Sequence, residues 1–221
     1  VAMPALSSPR ALLALAPSAG GKSTVLRTFA RPVFDMDPLS PDLAVLVSSE
    51  AFRDLHSQYR ALLANGRQNQ GVWSRAWPAA KEAVTAAKQR LLAKATAAGR
   101  DVLISDTGSD VAKLLEMISA LKDQLYTVHL CAVFAEPAEI IERGVAREIK
   151  EGKRYNRDER KLRQALQAFN PAAEAVNGRC CIFLNRQGRS PQLYHQGIGG
   201  CKLNFHLDEA LACAAETPEE V

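Results

Sequence analysis

The stretch APSAGGKST, residues 16–24, follows an apolar run and precedes a segment with the composition of a helix. The apolar run, ALLALA at residues 11–16, has the length and character of a buried parallel strand. Two adjacent glycines then allow the backbone to turn sharply, with positive φ, just before Lys22. A strand, a glycine-rich turn and a helix that begins at Lys-Ser are the parts of a phosphate-binding loop, although Ala16 replaces its usual first glycine. The alternative interpretation is a glycine-rich turn that binds nothing.

The loop residues have separate predicted roles in binding a nucleotide. The backbone N–H groups of residues 19–24 are expected to converge on the phosphates at the positive end of the helix dipole. Lys22 is expected to reach the β and γ phosphates, Ser23 to hold Mg²⁺ through its hydroxyl, and Thr24 to contact the α-phosphate. The predicted cofactors are therefore ATP or GTP with Mg²⁺. The predicted nucleotide-binding residues are Ser18, Ala19, Gly20, Gly21, Lys22, Ser23 and Thr24.

Length and composition favour one α/β domain over residues 1–221. The chain has 47% hydrophobic and 24% charged residues, enough to bury a full core. A net charge of +4 is too small to indicate nucleic-acid binding by itself. No apolar run approaches the roughly 20 residues that cross a bilayer, and cysteines without a C-x-x-C pair favour a reducing, cytoplasmic location. Because the sequence begins with valine, a piece of a larger protein or assembly is a second interpretation.

Strand-like and helix-like segments alternate along the chain, which predicts a parallel sheet with helices on both faces and ligands at the carboxyl ends of its strands. The second strand is assigned to RPVFDMD at residues 31–37, and the third to DVLISDTG at 101–108. A basic lid is predicted at about residues 143–170, and a C-terminal hairpin with a short helix at about 181–216. Helices are predicted at 49–65, 73–98, 109–124 and 137–153, and further strands at 126–134 and 180–186.

The rest of the sequence favours a kinase over other classes of phosphate-loop protein. A GTPase would carry an N-K-x-D motif, but LNRQG at residues 184–188 lacks its lysine and aspartate. A motor ATPase would show a strand ending in Asp-Glu, whereas the third strand ends in Ser105-Asp106-Thr107. A small-molecule kinase needs a base near the acceptor hydroxyl, a clamp for the acceptor, and arginines that neutralise the transferring phosphoryl group. The predicted architecture is thus a three-layer P-loop kinase fold with a basic lid.

The sequence offers candidates for the base and for the arginines. Asp35 and Asp37 end the predicted second strand beside the phosphate loop, where a carboxylate can accept the acceptor's proton. Asp35 is predicted to be the catalytic base and Asp37 to bind substrate; the alternative is that they belong to a helix cap and a turn. The lid provides Arg147 and Arg154 as predicted catalytic residues and Arg157 as a substrate contact, with a solvated helix face as the alternative.

Asp106 is the candidate for a metal ligand. It ends the predicted third strand, and an aspartate there commonly steadies Mg²⁺ opposite the loop serine. Its charged form would be favoured by the metal and by Lys22. The predicted metal-binding residues are therefore Ser23 and Asp106, and the alternative role of Asp106 is to cap the helix that begins near Ser109.

The order of these segments resembles that of the zeta-toxin-like P-loop kinases. APSAGGKST is similar to the family's nucleotide loop, VFDMD to its D-x-D element, and VLISDTG to its third-strand acceptor motif. AVFAEPAEIIERGVAREIKEG resembles the entry to its lid, and IFLNRQGRSPQLYH its closing strands. The resemblance implies phosphorylation of the 3′-hydroxyl of the amino sugar in UDP-N-acetylglucosamine, or of another small hydroxyl compound. It also implies that Asp35 is the base and that Thr107 contacts the substrate.

Two positions depart from the family's pattern, and three functions stay open. Ser105 stands where the family has an acidic residue, and Ser109 replaces its arginine. The main hypothesis is an ATP- and Mg²⁺-dependent kinase that acts on a sugar nucleotide or nucleoside. The second is a non-catalytic nucleotide-binding module of a larger protein or assembly. The third is a polynucleotide end kinase, for which the basic segment at residues 143–163 offers phosphate contacts but few aromatic residues.

Overall fold

The computed structural model describes residues 8–36, 44–68, 71–186 and 189–200, together with His206, Asp208, Glu209 and Ala212. The strands are β1 (Arg10–Leu15), β2 (Ala44–Val47), β3 (Asp101–Asp106), β4 (Thr127–Phe134), β5 (Arg179–Leu184) and β6 (Gln192–Ile198). The helices are α1 (Lys22–Phe34), α2 (Ser49–Leu55), α3 (Ser57–Gln68), α4 (Ala76–Ala97), α5 (Val111–Asp123), α6 (Pro137–Glu151), α7 (Glu159–Gln167) and α8 (Phe169–Ala175). A 3₁₀ turn covers Val72–Arg75.

The described strands form one sheet in the order β2-β3-β1-β4-β5-β6. The first five are parallel, and β6 runs antiparallel to β5. Because side chains alternate along a strand, Leu13 and Leu15 face one layer of helices while Leu12 and Ala14 face the other. The first layer includes α5 and α8, and the second includes α1. The predicted α/β fold, a parallel sheet with helices on both faces, is confirmed.

The second strand along the chain is not the one predicted from the sequence. The prediction of a strand at residues 31–37 is wrong, because α1 continues to Phe34. Leu26, Ala30 and Phe34 recur every four residues, so a helix buries all three against the sheet. The true β2 is the short run AVLV at residues 44–47, which pairs with β3 and forms the edge of the sheet.

Helices α3 and α4 form a smaller apolar cluster of their own. Tyr59 of α3 packs with Ala76 and Val84 of α4, and Trp77 packs partly buried against them. Trp73, in the 3₁₀ turn between these helices, is also buried. Both tryptophans therefore contribute to packing. None of the helices within the described ranges is both long enough and apolar enough to cross a membrane.

The chain turns tightly between α6 and α7. Gly152 ends α6 in a left-handed conformation, with φ of 58°. Its carbonyl oxygen accepts a hydrogen bond of 2.9 Å from the backbone N–H of Trp77. This bond fixes the turn against the first residues of α4. The helix predicted near the C-terminus lies almost entirely outside the described residues.

Candidate nucleotide-binding site

The loop between β1 and α1 has the geometry of a phosphate cradle. Ala19 and Gly21 take left-handed backbone angles, with φ of 70° and 102°, which turn the chain tightly. Ser18 is partly exposed, and Ser23 and Thr24 are exposed in the first turn of α1. Among the described residues, no side chain caps this end of the helix. The uncapped amides and the helix dipole suit the loop to an anion such as a phosphate group.

Lys22 folds its ammonium group back onto the loop. Its Nζ donates to the carbonyl oxygens of Ala16 and Pro17, the second at 3.1 Å. Part of the residue reaches solvent, but the loop encloses the ammonium group itself. This burial lowers the pKa of Lys22 to about 7, and the nearby Asp106 carboxylate opposes the shift only in part. A desolvated cation gains more from an anionic ligand than an exposed lysine would.

Asp106 lies beside the loop, as its place at the end of a parallel strand requires. It pairs in register with Leu15, the last residue of β1, and its carbonyl oxygen accepts from Ala16 N–H at 3.3 Å. Its carboxylate accepts from Gly108 N–H at 2.8 Å. It does not cap α5, because Asp110 fills that role. The register of β1 and β3 thus places Asp106 beside the phosphate loop, where its charge acts on Lys22.

The donors at this edge fit a magnesium ion. The Ser23 hydroxyl and the Asp106 carboxylate offer the oxygen ligands that Mg²⁺ prefers, and phosphate oxygens would supply others. Within the described ranges, no cluster of three or more histidine, cysteine or acidic residues could hold a metal unaided. A metal at this site would therefore depend on the nucleotide as well as on the protein.

Thr107 follows Asp106 at the same edge of the sheet. Its hydroxyl oxygen lies 2.9 Å from that of Ser109, so the two hydroxyls share a hydrogen bond. Both residues lie in the turn between β3 and α5. The structure therefore brings the predicted substrate contact at Thr107 next to the predicted metal ligand.

Asp35, the base predicted from the sequence, does not lie at this edge. It follows the last residue of α1, a helix of 13 residues that runs away from the loop, so roughly 20 Å of helix separate it from Lys22. Its side chain is 95% exposed, and its carboxylate lies 3.8 Å from the guanidinium of Arg10 at the start of β1. The assignment of Asp35 as the catalytic base is therefore corrected. Asp37, the predicted substrate contact beside it, lies outside the described residues.

Glu50 is a second carboxylate at the carboxyl edge of the sheet. It lies in the first turn of α2, just after β2, and is half-buried. Because β2 runs parallel to β3, Glu50 lies at the same edge of the sheet as Asp106. Sequence reasoning missed Glu50 because it missed β2. The signal was the apolar run LAVLV followed by Ser-Ser-Glu, a strand end with an acid at the turn.

The predicted lid arginines are held by two buried glutamates. Arg154 and Arg157 both donate to the Glu148 carboxylate, each at 3.0 Å. Arg147 donates from Nε to Glu151 at 2.6 Å. Burial alone would raise the pKa of both glutamates, but hydrogen bonds and the neighbouring cations outweigh it and lower both values. The arginines are thus ordered by partners on the same segment before any ligand binds.

Asn185, just after β5, ties the phosphate loop to the rest of the sheet. Its side-chain amide donates to the Gly20 carbonyl oxygen at 3.0 Å, and its backbone N–H donates to Phe134 at 2.8 Å. Arg143 of α6 donates to the Asn185 carbonyl oxygen at 2.9 Å. Asn185 therefore connects β4, α6 and the loop. Sequence reasoning considered this residue as part of a motif for reading guanine and as part of the stretch that resembles the family's closing strands, but not as a support of the loop.

We expect Gly21→Ala to weaken nucleotide binding by at least about tenfold. A Cβ at position 21 would lie 2.0 Å from the Asn185 amide nitrogen, so the loop or Asn185 must move. Titration calorimetry with ATP and Mg²⁺ measures the effect. The matched control is Gly71→Ala, which has a similar φ of 91° but meets nothing within 4 Å. That variant carries a backbone strain of about 1–2 kcal/mol, and its nucleotide affinity should equal that of the unmodified chain.

The fold and the site together define a P-loop kinase-like nucleotide-binding domain. A sequence model of the AAA domain family matches residues 15–172, and the chain belongs to that family. No curated protein sequence matches the chain.

Two solved structures share the fold at low sequence identity. A chain of the PezAT chromosomal toxin-antitoxin system of Streptococcus pneumoniae is 17% identical, with a TM-score of 0.63; the match covers 88% of this chain and 74% of that one. A chain of the AvrRxo1-ORF1:-ORF2 complex with ATP is 13% identical, with a TM-score of 0.54. The second match covers 94% of this chain and 64% of that one, just under two-thirds of its length. The resemblance to zeta-toxin-like P-loop kinases is confirmed.

Proposed function

We propose that this protein transfers the γ-phosphoryl group of ATP to a hydroxyl group of a small acceptor. One observation carries the proposal: Lys22 and Asp106 lie beside a loop shaped for phosphate, and Glu50 follows β2 at the same edge of the sheet. These are the cation, the metal ligand and the base that phosphoryl transfer needs. ATP is favoured over GTP because a structure with the same fold was solved with ATP.

The loop would hold the nucleotide by its phosphates. Backbone N–H groups at the start of α1 would donate to the phosphate oxygens, and Lys22 would exchange its carbonyl partners for the β and γ phosphates. Ser23 and Asp106 would hold Mg²⁺, which neutralises phosphate charge when it is bound. The start of α1, which no described side chain caps, and the enclosed ammonium group support this assignment.

Glu50 would act as the general base. Its carboxylate takes the proton of the acceptor hydroxyl as the hydroxyl oxygen bonds to the γ-phosphorus. The bond from the γ-phosphorus to the bridging oxygen breaks, and ADP leaves with that oxygen. The position of Glu50 just after β2, at the same edge of the sheet as Asp106 and the phosphate loop, supports this role, because the reacting oxygen must lie beside the transferring group.

The acceptor would lie between the end of β3 and helices α2–α4. Thr107 and the lid arginine Arg157 would contact it, while Arg147 and Arg154 would stabilise charge on the transferring phosphoryl group. A sugar nucleotide or nucleoside is the acceptor class that we propose. Each of these arginines now donates to a glutamate. To contact the ligand, an arginine must either keep that hydrogen bond and donate to the ligand as well, or exchange the glutamate for the ligand.

A second candidate is a nucleotide-binding module without transferase activity. The observation that favours it is Ser105, a serine where related kinases have an acid, whose carbonyl oxygen accepts a 3.3 Å hydrogen bond from Lys88. One of the similar structures comes from a toxin-antitoxin system and another is the AvrRxo1-ORF1:-ORF2 complex, which supports a protein partner for this chain as well.

The decisive experiment is incubation with γ-labelled ATP, Mg²⁺ and a panel of sugar nucleotides, nucleosides and other small alcohols. We expect label to appear on an acceptor, and Lys22→Met to reduce its rate by roughly 10²-fold or more. Tight ATP binding without label on any acceptor would overturn the transferase and favour the binding module. Label on polynucleotide ends alone would favour an end kinase instead.

A further inference from the structure

A lysine interrupts the apolar stripe along α4. Val84 is buried in the cluster that α4 forms with α3, and Leu91 and Leu92 pack partly buried against the core beside the sheet. Lys88 lies one helical turn after Val84 and one turn before this leucine pair, so it shares their face of the helix. Because a charged residue seldom occupies such a position without a partner, the surroundings of its ammonium group decide its role.

The ammonium group of Lys88 reaches the end of β3. Its Nζ donates to the Ser105 carbonyl oxygen at 3.3 Å, which is long for a hydrogen bond. In the part of the chain that the structure describes, no carboxylate forms an ion pair with it. The residue is partly buried. One weak bond to an uncharged oxygen therefore holds a cation that water reaches only in part.

The backbone of β3 shows on which side of the strand this contact lies. The Asp106 carbonyl oxygen accepts from Ala16 N–H and therefore points towards β1. Consecutive carbonyl groups of a strand point to opposite sides, so that of Ser105 points towards β2. The pairing of β2 with β3 stops one residue before Ser105, which leaves this oxygen open to a side chain. Lys88 thus lies on the side of β3 away from the phosphate loop, between the strand end and α4, where the acceptor is proposed to bind.

A bound magnesium ion would leave Lys88 poorly neutralised. Burial lowers the pKa of Lys88, and the negative charge of Asp106, which directly follows Ser105, offsets this in part. In the proposed function Asp106 holds Mg²⁺, and the divalent ion takes up that negative charge. A partly buried cation without a counter-charge is stabilised when an anion binds beside it.

We propose that Lys88 is a specificity-determining residue that binds an anionic group, a phosphate or a carboxylate, on the acceptor. This inference rests on the proposed phosphoryl transfer and names the charge of its acceptor. Because Ser105 adjoins Asp106, the anionic group lies close to the hydroxyl that is phosphorylated. A lysine suits either anion, since its ammonium group is a point charge with three donors. Nucleotides, sugar phosphates and sugar acids are therefore better acceptors than neutral nucleosides and sugars.

The test uses acceptors in matched pairs that differ by one anionic group. The pairs are a nucleoside 5′-monophosphate with its nucleoside, a sugar phosphate with its sugar, and a sugar acid with its sugar. We expect the anionic member of at least one pair to be the better acceptor. Lys88→Met should raise KM for that member by at least about tenfold, because a charged hydrogen bond is lost, and change KM for the neutral member by less than about threefold. The pair that responds distinguishes phosphate from carboxylate.

Two further variants separate recognition of charge from a structural role. Lys81→Met is the matched control, because Lys81 is exposed on the same helix and should behave like the unmodified protein. Lys88→Arg keeps the charge and should retain most of the preference for the anionic acceptor. A lysine that only secures the end of β3 would instead lower the melting temperature when it is replaced and weaken both members of each pair alike. That result would overturn the inference.

Binding distinguishes a failure of this inference from a failure of the proposed transferase. The same pairs are titrated by calorimetry into protein saturated with Mg²⁺ and a non-hydrolysable ATP analogue, so that no transfer occurs. A preference for the anionic member that Lys88→Met abolishes would support the role of Lys88 even if labelled ATP marks no acceptor. Transfer that is equally efficient for both members, in the unmodified protein and in Lys88→Met, would overturn that role and leave the transferase intact. If Lys88→Met does not fold, Lys88→Gln serves for both measurements.

Discussion

Glu50→Gln is expected to lower the rate of phosphoryl transfer by roughly 10²–10⁴-fold, the usual contribution of a general base. The amide keeps the size of the side chain but cannot accept the acceptor's proton. Nucleotide affinity should stay within a few-fold, because the loop amides and Lys22 bind the phosphates without Glu50. Single-turnover transfer from labelled ATP measures the first effect, and titration calorimetry measures the second.

Asp35→Asn is the matched control for that experiment. Asp35 is exposed at the far end of α1, so its neutralisation should leave both transfer and nucleotide affinity unchanged. A Glu50→Gln variant with full transfer activity would remove Glu50 from the mechanism. Loss of transfer in Asp35→Asn alone would mean that the acid at the far edge of the sheet takes part after all.

The contrast between these two acids shows where the sequence is informative. The turn between β1 and α1 could be predicted, because glycines and Lys-Ser at fixed positions have a local physical meaning. The run RPVFDMD could not be assigned from its residues alone, since a short apolar run fits a strand or the end of a helix. Phe34 packs against residues of the sheet that are distant in sequence, and this packing favours the helix over the strand. Because the chain is helical up to Phe34, Asp35 lies at the far end of α1, at the opposite edge of the sheet from the phosphate loop.

The lid illustrates a second limit of sequence reasoning. Charged residues on a basic helix are usually solvated, so nothing in the sequence marks Glu148 and Glu151 as buried. The structure buries both and surrounds them with arginines, Lys153 and Tyr155. The arginines were predicted because basic residues crowd one segment after the fourth strand, whereas the glutamates that orient them are buried only in the folded chain. Position in the fold, rather than residue type, thus decides which acids orient these arginines.

Asp101→Ala is expected to destabilise the protein by about 3 kcal/mol. Asp101 begins β3 and is buried, and its carboxylate accepts from the backbone N–H of Arg10 at 2.6 Å and from its Nε at 2.9 Å. Removing one partner of a buried ion pair typically costs about 3–5 kcal/mol. The lower figure applies here because the Arg10 side chain is 32% exposed and can turn to water. Thermal unfolding should show a fall of roughly 6–12 °C.

The effect of Asp101→Ala should fall on stability rather than on nucleotide binding. Arg10 also donates to the carbonyl oxygens of Phe34 and Asp35, so the pair secures the C-terminal end of α1. The loop lies at the other end of that helix, and nucleotide affinity at 20 °C should change by less than about threefold. Asp54→Ala is the control, because that carboxylate is 66% exposed and its ion pair should contribute under about 1 kcal/mol. Equal melting temperatures for the two variants would mean that the buried pair does not hold β1, β3 and α1 together.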